Sequence, residues 1–114
     1  MNTVVFLPAL RSLDMDALSE LCEAIKAAAE PRLRSLSRYV TTTVRGHEDW
    51  DTVGQIGYVD GELREASRAC MRTTDHAEAV RQALRCVEAA SSLGYDEADE
   101  VRDLVAEAGA KAVA

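Results

Sequence analysis

Between Trp50 and Met71 the residues Val53, Ile56, Val59, Leu63, Ala66 and Cys70 recur at three- and four-residue steps. That spacing places all six on one face of a helix and fits no strand. A helix with one such face needs other helices to cover it, so the rest of the chain must supply them. Gly54, Gly57 and Gly61 fall within the same stretch. Each costs about 1 kcal/mol relative to alanine in a helix interior, which predicts either close packing on a neighbour or a break. The preferred expectation is a helix-turn-helix split at Asp60-Gly61.

The flanking segments carry the same period. Leu18, Leu21, Cys22, Ile25, Ala28 and Ala29 form an apolar stripe over residues 13–30, with Ser12 as the expected cap and Asp14 and Asp16 near the positive helix end. Pro31 is suited to the first turn of a helix rather than its interior, predicting a bend or restart there. Leu33, Leu36, Val40 and Val44 carry the next stripe, which Gly46 is expected to stop. Thr74 or Asp75 is expected to cap a helix with Val80, Ala83, Leu84, Val87 and Ala90 inward; Asp75 and Glu78 have capping-box spacing, and Gly94 ends it. Asp96 would cap the last helix, whose inner face is Val101, Leu104, Val105 and Ala108.

Only Thr3 to Leu7 reads like a strand, and it lacks a partner of comparable quality. The expected fold is therefore all-α: a four- or five-helix bundle or stacked helical hairpins, with a short apolar arm (residues 1–12) on a single helical domain (13–114). A chain of 114 residues can bury roughly 65% of its unfolded surface without metal or disulfide.

The formal charge of −7 argues against nucleic-acid and membrane-surface partners, which are gripped by unopposed Lys and Arg. The run MNTVVFLPALRS has no basic residue ahead of its apolar part and is too short to span a bilayer, so no signal or anchor is expected. Cys22, Cys70 and Cys86 make no close pair in sequence and read as reduced core thiols of a cytoplasmic protein. Acidity concentrates after Val87, where seven Asp and Glu face only Arg102 and Lys111.

Chemistry-bearing motifs are scarce. His47 and His76 have no partner at ligand spacing, no Cys-x-x-Cys or Glu-x-x-His exists, and the glycines lack the strand and the Lys that a phosphate loop needs. No catalytic residue, cofactor or metal is expected. Arg64, Arg68 and Arg72 follow at four-residue steps and form a ridge, either a solvated face balanced by acidic neighbours or a dock for an acidic partner. Val5, Phe6 and Leu7 of the arm would either fold onto their own core or join a second copy, with Pro8 setting the arm's exit direction.

Trp50-x-x-Val53-Gly54, with Gly61 and Ala66 following and Gly94-Tyr95-Asp96-Glu97-Ala98 downstream, resembles parts of a tetratricopeptide repeat. Gly57, Cys70 and Glu78 depart from its Tyr, Phe and Pro. The resemblance implies stacked helical hairpins that bind peptides or proteins. The length, the central Trp50 and Tyr95-x-x-x-Asp99 are also similar to small helical substrates of type VII secretion, although Asp51-Thr52 replaces the glycine those proteins carry after Trp. The function expected is a non-catalytic protein-interaction or assembly module that self-associates or binds a protein. The alternative is a small helical enzyme or ligand-binding bundle.

Overall fold

The computed structural model describes residues 3–43 and 50–113. A 3-10 turn, Thr3–Phe6, leads into α1 (Leu7–Arg11), α2 (Met15–Thr43), α3 (Trp50–Arg72), α4 (His76–Ser91) and α5 (Tyr95–Ala112). The fold is all-α, a five-helix bundle. Helices α2 to α5 alternate in direction, and α3 and α5 lie against opposite sides of the α2/α4 pair, while α1 packs on α4 and α5 at one end. Val44, Gly46 and His47 to Asp49 lie outside the described residues.

The apolar faces meet in one core. Leu18, Cys22 and Ile25 from α2, Val59, Leu63 and Ala66 from α3, Ala83, Cys86 and Val87 from α4, and Val101 from α5 are at most 1% exposed. Val53, Ile56, Leu84, Leu104 and Ala28 sit at the margins, only half-buried. The alanines and cysteines let neighbouring helices approach closely enough for a chain poor in aromatics to exclude water.

Two expected interruptions are absent. α3 runs unbroken through Asp60-Gly61, because Val59, Leu63 and Ala66 bury on one continuous stripe and Arg64 reaches back to Asp60 across the site. Its glycines do not serve close packing either. A Cβ at Gly54, Gly57 or Gly61 would meet nothing within 4 Å, so all three are a local helical cost that burial on the opposite face offsets.

Likewise α2 continues past Pro31 without restarting. Pro31 and Ala27, whose carbonyl loses its donor, are both exposed, so water can satisfy the freed oxygen while Ile25, Ala29 and Leu33 stay buried on either side.

Capping differs in detail. Asp14 rather than Ser12 caps α2, its carboxylate accepting from Ala17 N at 2.8 Å. Ser12 instead closes α1, its hydroxyl donating to Ala9 O at 2.6 Å. Asp75 caps α4 as expected, accepting from Ala77 N, but Glu78 turns forward to Gln82 and Arg81 instead of completing a capping box. The α4 helix closes at Ser92, and Gly94 is the N-cap of α5 in place of Asp96. Glycine leaves room there: a Cβ would stand 3.0 Å from Glu97 Oε1, which holds Arg32 of α2, and would press on that pair.

The arm is part of the globule. Pro8 lies in the first turn of α1, and Phe6, Leu10 and Leu13 bury where this segment packs on α4 and α5.

Among the described residues the other end of the molecule is less covered. At 1.5 Å per residue the 29-residue α2 runs about 43 Å and the 16-residue α4 about 24 Å. The α4 N-terminus is fixed beside the start of α2, where His76 Nε2 donates to Leu13 O at 2.7 Å. The α4/α5 turn reaches only as far as Arg32, through Glu97, and Gln55, whose Nε2 donates to Ser92 O at 3.3 Å. Beyond that level α2 and α3 continue as a two-helix projection, and the molecule measures 51 × 25 × 21 Å.

Candidate functional site

Arg64, Arg68 and Arg72 lie exposed along α3. Arg64 Nε donates to both oxygens of Asp60, at 3.1 and 3.0 Å, one turn earlier. An exposed pair of this type contributes about 0.3–0.5 kcal/mol. Arg68 and Arg72 form no ion pair among the described residues. The arm residues divide: Phe6 is buried, Leu7 is half-buried and Val5 is 67% exposed. The structure does not bring these two groups of residues into one site.

A stronger polar constellation joins α3 to α4. Arg85 Nε and Nη2 donate to the two carboxylate oxygens of Glu62 at 3.1 and 2.8 Å, and Nη1 donates to Gln82 Oε1 at 2.7 Å. Gln82 in turn donates to Glu78 at 2.6 Å. Sequence spacing gave no sign of it, because Glu62 and Arg85 are 23 residues apart. The donated hydrogen bonds from Arg85 hold the Glu62 carboxyl below the ordinary carboxylate range, outweighing the opposing effect of burial.

A lowered folded-state pKa adds stability above the unfolded carboxylate value, about 4.3, and loses it as pH falls through the folded value. Glu62→Gln should therefore lower stability at pH 7 by about 1 kcal/mol and flatten the loss below about pH 5. Urea midpoints measured from pH 7 down to 3 would check this; parallel curves for the two proteins would refute it.

The three thiols, distant in sequence, converge. Cys22, Cys70 and Cys86 come from α2, α3 and α4 and are at most 1% exposed. The Cys86 thiol first, then burial, then Cys70, push the Cys22 thiol far above its usual range. Cys70 Sγ donates to Ala79 O at 3.8 Å. A thiol kept neutral and out of reach is neither nucleophile nor ligand, so Cys22 acts as a core side chain. Among the described residues no three of His, Cys, Asp and Glu are arranged to hold a metal ion.

Several surface features remain, among them a groove of about 440 Å³ between α2 and α3 lined by Leu33, Ile56 and Leu63. On the projecting end of α2 and α3, Leu36, Val40, Val53 and Ile56 are only half-buried, and Tyr39 and Tyr58 are 46% and 64% exposed. A groove of about 490 Å³ between α2 and α5 has Leu21, Leu104 and Ala108 on its walls, with the carboxylates of Asp14, Glu20 and Glu107 and, among the described residues, one cation, Lys111. A further groove, about 570 Å³, separates α1 from α4 and is lined by Leu7, Arg11, His76, Ala77, Val80, Arg81 and Leu84. It has the opposite charge to the α2/α5 groove.

No described helix is long and apolar enough to cross a membrane. Compared with family models, curated proteins and solved structures, the chain matches none.

Proposed function

We propose that this protein is a non-catalytic assembly module of the cytoplasm, built to associate with protein through its projecting α2/α3 end, first of all with a second copy of itself. The supporting observation is that the apolar seam of Leu36, Val40, Val53 and Ile56 outruns the helices that would cover it. A two-helix seam exposes one flank of each side chain to water, and a second pair of helices laid across it would complete a four-helix bundle.

The charges suit an isologous pairing. Beyond the level of Arg32 and Gln55, α2 carries Arg34 and Arg38 and no acid, whereas α3 carries Asp51 and no base; Arg32, Asp60 and Glu62 are already held within the bundle by Glu97, Arg64 and Arg85. A two-fold axis between the projections would set the basic helix of one copy beside the acidic helix of the other. The three buried, unpaired cysteines support a reducing compartment.

Sedimentation equilibrium tests the reading. The protein should be at least dimeric near 100 μM, and Tyr39→Glu should weaken the dissociation constant about tenfold or more, with helicity unchanged. A wild-type protein that stays monomeric at that concentration would overturn the self-association.

A further inference from the structure

We infer that the groove between α1 and α4 is a docking site for an acidic amphipathic helix of another protein. This is separate from the self-association above, since it uses the opposite end of the bundle. Leu7 and Arg11 stand four residues apart on α1, and Val80 and Leu84 four apart on α4. Each pair is one helical turn long, so Leu7 and Arg11 on one side and Val80 and Leu84 on the other border the groove with the i,i+4 spacing that an amphipathic helix also presents.

The chemistry of the walls selects the visitor. Val80 is buried and Leu7 and Leu84 are half-buried, so the apolar surface the groove leaves partly wet is that of the two leucines. Among the described residues the titratable groups lining the groove are Arg11, His76 and Arg81, with the nearest carboxylate, Glu78, paired to Arg81 at its edge. In a protein of charge −7 that is a local reversal of sign, and the α2/α5 groove, with three carboxylates, shows the contrast. Arg81 pairs with Glu78 of its own helix yet remains 69% exposed at its side chain, so an incoming carboxylate can share it. A ligand with leucine-like residues at i, i+3, i+4 and i+7, flanked by Glu or Asp, satisfies both floor and rim.

The probes are two synthetic amphipathic helices with the same leucine face, one flanked by glutamates and the other by lysines, followed by fluorescence anisotropy against the Tyr39→Glu protein. Using that variant separates groove binding from self-association, so either reading can fail alone. The glutamate helix should bind with a dissociation constant of about 10 μM and the lysine helix at least tenfold more weakly. Added salt should weaken the glutamate helix's binding.

Arg11→Glu with Arg81→Glu should reverse the preference, and Arg11→Lys with Arg81→Lys should retain it. Amide shifts on titration should centre on Leu7, Val80 and Leu84. Equal binding of the two helices, no binding of the glutamate helix up to about 1 mM, or shifts centred on the α2/α5 groove would each overturn the proposal. So would concentration-dependent shifts at Leu7 and Leu84 in the protein alone, which would make the occupant a second copy.

Discussion

Leu63→Ala should destabilise the protein by about 3 kcal/mol, whereas Leu36→Ala, the same chemical change, should cost under about 1 kcal/mol. Leu63 is 1% exposed and is closed in by core residues of the neighbouring helices, so truncation removes its transfer free energy and leaves a cavity. Leu36 lies on the two-helix projection, where water already reaches it and can fill the space vacated. In a protein of marginal stability the first change removes a large share of the total. Denaturant midpoints at low micromolar concentration measure both. If the two costs are equal, the projecting seam is covered in solution; if the Leu36→Ala cost grows with protein concentration, a second copy covers it.

The second large effect concerns the thiols. Cys22, Cys70 and Cys86 should label with a disulfide reagent at least about a thousandfold more slowly in the folded protein than in guanidinium, because reagent gains access only when the bundle opens. For Cys22 a further effect adds to access: its neighbouring thiols and burial disfavour the thiolate. Its folded pKa is raised, so its contribution to stability is complete below the unfolded thiol value of about 8.5 and declines as pH rises beyond it, where only the unfolded chain ionises readily. One thiol reacting at the free-cysteine rate while helicity is retained would show that the core is not closed around it.

Of the candidate groove, Leu7 was marked by the apolar arm and Val80 and Leu84 by the α4 stripe. Arg11 and Arg81 read in sequence only as scattered basic residues, and His76 only as a residue with no partner for a metal. What unites them is the docking of α1 on α4, a contact spanning some 70 residues of chain that no periodicity encodes. The Arg64, Arg68 and Arg72 ridge was legible for the converse reason: it is a property of one helix.

By itself the sequence determined the helical class, the apolar stripe of each long helix and a cap for α4 at Thr74 or Asp75, because each depends on residues within a turn or two of one another. Tertiary structure decided whether a local cost ends a helix. Pro31 and Gly61 are poor interior residues, but the stripe on either side is buried by α3 and α4 in the one case and by α2 and α4 in the other, and that burial outweighs them. It also decided which apolar positions are wet. Leu36 and Val40 carry the same pattern as Ile25 and Ala29, but among the described residues α4 and α5 end at the level of Arg32 and leave them half-buried. The gathering of three distant thiols and the Glu62–Arg85 pair belong to the same level, since they exist only once separate helices are packed side by side.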